Sequence, residues 1–78
     1  MKLRPIASNM TEVETAKATI LFSYSTPVAC CMNDGSGYYR TSKRWSSTTS
    51  AHINKWLRGN IRTVNVPEKD QSFFDDLA

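Results

Sequence analysis

Residues 40–60 read RTSKRWSSTTSAHINKWLRGN, and the second half of that stretch decides the fold. Ser46, Ser47, Thr48, Thr49 and Ser50 are poor residues for a helix interior but good ones for a helix start. A Ser or Thr hydroxyl there accepts from the free N–H groups of the first turn. Thr49, His52, Ile53, Trp56 and Leu57 then recur with the spacing of one helical face, while Ala51, Asn54, Lys55 and Arg58 fall towards the other. Gly59 is placed to take the left-handed residue that ends a helix. The spacing predicts a helix over 48–58, with one face on a sheet and Trp56 in the core.

Working back from that helix, Tyr38–Thr41 reads as a short strand, and Asn33-Asp34-Gly35-Ser36-Gly37 before it is the strongest turn signal in the chain. Residues 28–32, VACCM, form an apolar run suited to a strand. Residues 15–24, TAKATILFSY, alternate: Ala18, Ile20, Phe22 and Tyr24 line one face, and Thr19, Leu21 and Ser23 the other. These three strands predict an antiparallel meander. Residues 1–14 show no period and are interrupted by Pro5, so they are expected to be a loose arm before a single domain over 15–78. Working forward, IRTVNV at 61–66 alternates and predicts a fourth strand. Pro67, Glu68 and Asp70 suit the start of a second helix, with Phe73, Phe74 and Leu77 as its apolar edge. The expected class is α+β: a small antiparallel sheet in β-β-β-α-β-α order, one main helix packed on it and a short C-terminal helix.

Charge is distributed unevenly over the 78 residues. Residues 1–34 balance to zero. Residues 35–66 carry Arg40, Lys43, Arg44, Lys55, Arg58 and Arg62 with no acid, a net +6. Residues 67–78 set Lys69 against Glu68, Asp70, Asp75 and Asp76, a net −3, which leaves +3 for the chain. A one-signed middle segment attracts polyanions or an acidic protein surface; the alternative is a solvated basic face neutralised by the acidic tail. No apolar run approaches membrane-spanning length and no signal-type segment follows Met-Lys-Leu-Arg, so a cytoplasmic protein without a membrane partner is expected.

Catalytic chemistry finds little support. His52 is the only imidazole. Ser50 lies two residues away, off its helical face, and no acid is near in sequence to orient the ring. His52 is therefore expected to be structural, bonded to a hydroxyl or backbone group. Cys30 and Cys31 are adjacent and match neither a disulfide framework nor a metal pair; on a strand they point to opposite faces. The DGSG of 34–37 lacks the frame of a phosphate loop and reads as a turn. No catalytic residue, metal or cofactor is expected. The candidate binding residues are Arg40, Lys43, Arg44, Trp45, Ser47, Thr48, Lys55, Arg58 and Arg62. Two uses fit them. A phosphate held by Arg40, Lys43 and Arg44 at the Ser47–Ser50 helix start would make this a binder of nucleic acid or a nucleotide. Trp45 beside Lys43 and Arg44 has the composition of a protein-binding hot spot.

Three stretches carry a resemblance: LFSYSTPVA at 21–29, GYYRTSKRWSSTTSAHINKWL at 37–57 and VPEKDQSFFDDL at 66–77. They resemble a family of small tailed-bacteriophage proteins with an S-Y-N/S-T-P-V-A segment, a Gly-Tyr hairpin and a T-T-S-x-H-I-N-x-W-L helix. The resemblance implies a phage-encoded protein of the host cytoplasm. By context it implies a small non-catalytic binder that inhibits a host protein or an antiviral-defence complex.

Overall fold

The computed structural model describes residues 2–78. Five strands lead the chain: β1 (Lys2–Ala7), β2 (Met10–Glu14), β3 (Ala18–Ser23), β4 (Thr26–Met32) and β5 (Gly37–Thr41). The main helix α1 (Ser47–Ile61) follows, then β6 (Glu68–Lys69) and the short helix α2 (Gln71–Leu77). The strands form one sheet in the order β1-β2-β3-β4-β5-β6, antiparallel throughout except for the parallel pair β5–β6. The fold is α+β.

Strand alternation sorts the apolar residues into two cores, one on each side of the sheet. Leu21, Val28, Ala29 and Met10 meet Ile53, Trp56 and Leu57 of α1, with Cys31 and Tyr38 packed at the margin. Ala18, Ile20 and Cys30 meet Phe74 of α2, with Tyr39, Phe73 and Leu77 beside them. The neighbouring cysteines thus face opposite cores, as the strand reading requires, and Tyr38 and Tyr39 divide in the same way. Ile20, Leu21, Ala29 and Cys30 are all fully buried, so the middle of the sheet is covered on both sides.

Residues 2–14 are not a loose arm. They form the β1–β2 hairpin and extend the sheet to six strands. Asn9 at φ 61 completes the two-residue turn, a conformation that Asn tolerates. Met10 is buried against α1, and Arg4 pairs across the strands with Glu12. Pro5 lies on the edge strand, where its missing N–H breaks no interior ladder.

The helix also runs past its expected stop. Gly59 is helical, and Arg62 at φ 61 takes the left-handed C-cap position, its N–H donating to the Arg58 carbonyl. Residues 61–66 are not a strand. Ile61 ends α1, and Val66 N–H donates to the Val64 carbonyl at 3.2 Å, a tight turn that breaks any ladder. The fourth predicted strand is displaced to Glu68–Lys69, and the second helix starts at Gln71 rather than at Pro67. Tyr24 leaves the predicted strand face as well. It sits in the β3–β4 turn at φ 58 with its ring 5.9 Å from His52.

Candidate functional site

The start of α1 is fixed by hydroxyl groups. Ser46 is the N-cap, and its Oγ accepts from the Thr49 N–H at 3.1 Å. Thr49 Oγ1 lies 3.1 Å from Ser23 Oγ, which lies 2.8 Å from His52 Nδ1. Ser23 is buried in β3, so this relay pins the first two turns of α1 to the sheet. His52 does pair with a serine, but with Ser23 rather than one of its neighbours in sequence. Among the described residues no carboxylate hydrogen-bonds the ring, so the pair lacks the group that would orient it for proton transfer. Ser47 and Thr48 are exposed on the first turn. Among the described residues, no hydrogen bond within the chain engages the hydroxyls of Ser47, Thr48 or Ser50.

The segment joining β5 to α1 carries Lys43, Arg44 and Trp45, all exposed. Trp45 is 42% exposed yet held in place, because its Nε1–H donates to Gln71 Oε1 at 3.1 Å. Gln71 is itself anchored: Thr41 Oγ1 donates to the same oxygen, and Gln71 Nε2 donates to the Pro27 carbonyl. Lys43 Nζ stands 4.0 Å from the Trp45 ring centroid. Arg40 is half-buried on β5. Its Nη1 donates to Asn54 Oδ1 and to the Val64 carbonyl, both at 3.0 Å, which stitches β5, α1 and the following loop together.

Two adjoining depressions open at this end of α1. One, of about 320 Å³, is lined by Arg44, Trp45, Ser46, Ser47 and Ser50. The other, of about 240 Å³, gathers Arg40, Lys43, Arg44 and Ser50 with Thr41 and Glu68. They share Arg44 and Ser50. Among the described residues, no basic side chain of 40–62 forms an ion pair with an acid; the ion pairs join Arg4 to Glu12 and Glu14. Asp75 and Asp76 ride on α2, whose Phe74 packs on the other face of the sheet from α1. Glu68 of the acidic tail does come to the basic surface, lining the second depression beside Arg40, Lys43 and Arg44 without forming an ion pair among the described residues.

The structure brings Arg40, Lys43, Arg44, Trp45 and Ser47 together and leaves Thr48 on the exposed first turn. Lys55, Arg58 and Arg62 lie further along α1. Lys55 lines a separate groove against the β1–β2 hairpin, and Arg58 and Arg62 sit exposed at the helix's far end. Sequence reasoning missed that groove, since it exists only because residues 2–14 join the sheet. It also missed Gln71, 26 residues from the Trp45 it positions.

The remaining titratable groups have local explanations. Burial, with Cys31 alongside, pushes the Cys30 thiol up to about 11. Asp34 Oδ1 accepts from Ser36 N–H and Oγ, which holds its carboxyl below the usual range and makes DGSG a hydrogen-bonded turn. Among the described residues, no three of His, Cys, Asp and Glu stand together as metal ligands would, and no helix is long and apolar enough to cross a membrane.

No curated protein and no solved structure matches the chain. A family model does match, over residues 1–75, and on that match the chain belongs to the Family of unknown function (DUF8033).

Proposed function

We propose that this protein is a non-catalytic binding module that takes the phosphates and bases of nucleic acid at the N-terminal end of α1. One observation carries the reading: Lys43, Arg44 and the fixed, exposed ring of Trp45 adjoin a polar depression with Arg40, Ser50 and Glu68, and among the described residues none of these cations forms an ion pair. Phosphate binding needs cations with room for an anion, and base stacking needs an aromatic face whose position is already paid for in conformational freedom. Arg40 is held by Asn54 and Val64, so it contributes its remaining donors without reorganising. Lys43 and Arg44 reach from the rim.

The test is the salt dependence of binding to a fluorescein-labelled oligothymidine. Lys43→Ala with Arg44→Ala should weaken binding and flatten the log K against log salt slope by about 1.4, one single-strand phosphate contact per cation. Trp45→Ala should cost ~1–3 kcal/mol of affinity with the slope intact. An unchanged slope in the double variant refutes the phosphate reading.

A second reading has its own support. A tryptophan held by its N–H while its ring stays exposed, flanked by Lys43 and Arg44, is composed as a protein-binding anchor. On this reading the partner is a host protein or antiviral-defence complex that the chain inhibits, as the phage resemblance implies. Capture from host lysate that survives nuclease treatment and is lost on Trp45→Ala favours it; capture lost on nuclease treatment returns the answer to nucleic acid.

A further inference from the structure

Three hydroxyls connect His52 to the mouth of α1, and each has a single proton to give. Ser46 Oγ–H donates to Thr49 Oγ1 at 3.3 Å. Thr49 Oγ1 lies 3.1 Å from Ser23 Oγ and passes its own proton onward to it. Ser23 Oγ–H then donates to His52 Nδ1 at 2.8 Å. The chain has one polarity, and that polarity requires a neutral ring with its proton on Nε2. We infer that His52 regulates the phosphate site at the start of α1: protonating the ring reverses this chain and turns the Ser46 hydroxyl from an internal donor into a donor for bound phosphate. The inference rests on the phosphate reading given above and adds its control.

The reversal follows from counting donors. An imidazolium carries a proton on both nitrogens, so Nδ1 no longer accepts. The added proton comes from solvent, and Nδ1–H donates to Ser23 Oγ. Ser23 then donates to Thr49, and Thr49 to Ser46. Each hydroxyl keeps its own proton and only rotates. Ser46 Oγ already accepts from the Thr49 N–H at 3.1 Å, and its second lone pair takes the Thr49 hydroxyl. Both polarities therefore satisfy the buried Ser23 and Thr49, and the helix cap persists in each. What changes is the Ser46 proton. Ser46 is exposed and lines a depression with Arg44, Trp45, Ser47 and Ser50, so the released O–H donates to an anion held there.

The charges around the ring leave this change to the solvent. From the elements packed on α1, β2 brings Glu12, whose carboxylate is engaged by Arg4 and by Trp56. Cys31 and Tyr38 come from β4 and β5, with Arg40, which is bonded to Asn54 and the Val64 carbonyl. Tyr24 comes from the β3–β4 turn, its ring 5.9 Å from the imidazole. On α1 itself Lys55 follows within one turn. Among the described residues the hydrogen-bond partner of the ring is Ser23. Imidazoles change charge between about pH 5 and 8, so phosphate affinity rises as pH falls through that range.

The experiment follows the binding of unlabelled oligothymidine, whose phosphodiesters keep their charge throughout, by quenching of tryptophan fluorescence from about pH 8 to about pH 5. Affinity should rise about tenfold, the size of one hydrogen bond to a charged acceptor. A protonated ring also adds a plain positive charge, and Thr49→Val separates the two effects. It cuts the chain while His52 still titrates, and the rise should be lost. Ser23→Ala cuts the chain at a second point and carries the test should Thr49→Val fail to fold. In the free protein at about pH 8, long-range ¹H–¹⁵N spectra of the imidazole should show Nε2 protonated and Nδ1 bare. A ring protonated on Nδ1 there, or a rise that survives in a folded Thr49→Val or Ser23→Ala chain, would overturn the control and leave the site standing. No binding of oligothymidine at any pH would overturn the site and its control together.

Discussion

Replacing Gly59 with alanine should make the protein more stable. In α1 (Ser47–Ile61) Gly59 lies three residues before the left-handed cap at Arg62 and has ordinary helical backbone. An added methyl has open space around it, so there is no steric cost to subtract. Two gains remain. Alanine is favoured over glycine in a helix interior, and it narrows the unfolded ensemble; together they give about 0.5–1 kcal/mol. For a chain of this size that corresponds to a rise in melting temperature of ~2–8 °C. Urea titration should show a higher midpoint with an unchanged slope, because the surface exposed on unfolding is the same. Gly37→Ala is the internal control: at φ 103 an alanine is strained, and that variant should lose more than about 1 kcal/mol. If Gly59→Ala proves destabilising, Gly59 is not helical. The helix would then stop there in the left-handed conformation that the sequence suggests.

Removing the Ser23 hydroxyl should cost ~1–3 kcal/mol in chemical denaturation, since Ser23→Ala leaves His52 Nδ1 without its partner and strips one contact from Thr49; a loss within error would show that the relay does not hold α1. The Cys30 thiol, raised from its ordinary 9.0 to about 11, gives a pH signature. Below pH 9 both folded and unfolded chains keep the proton. Between 9 and 11 only the unfolded chain releases it, so stability falls by up to ~1.4 kcal/mol per pH unit. The difference in unfolding free energy between the wild type and Cys30→Ala, followed from pH 8 to 11, isolates that slope, and a flat difference would contradict it. Iodoacetamide at pH 8 should accordingly leave Cys30 of the native protein unmodified while alkylating it in urea.

The helix and the meander were legible because each is written in short-range spacing. The stripe from Thr49 to Leu57 and the hydroxyl run before it set α1, and the alternation through Ala18–Ser23 set β3. The first hairpin was hidden because its inward face is not apolar throughout. Glu12 faces α1 as an acceptor for Trp56, 44 residues away, so a pattern of apolar alternation cannot register it. Residues 61–66 erred the other way. Val64 and Val66 alternate as a strand would, but the Val64 carbonyl is taken by Arg40 and Val66 N–H turns back on Val64, so neither group serves a ladder. At the candidate site, composition alone picked out Lys43, Arg44 and Trp45. The depressions that join them to Arg40 and Ser50 depend on where β5 and α1 meet, and spacing along the chain does not encode that.

Gln71 ties the first turn of α2 to β4 through Pro27, to β5 through Thr41 and to the indole of Trp45. The acidic helix on one side of the sheet and the aromatic ring at the mouth of α1 therefore share a single amide as a fastener. Such sharing makes the two ends thermodynamically linked, and linkage runs in both directions. A ligand that immobilises Trp45 also slows the fraying of α2, seen as stronger protection of its amides from exchange. A modification or truncation that unwinds α2 releases the ring and weakens the ligand by the same factor.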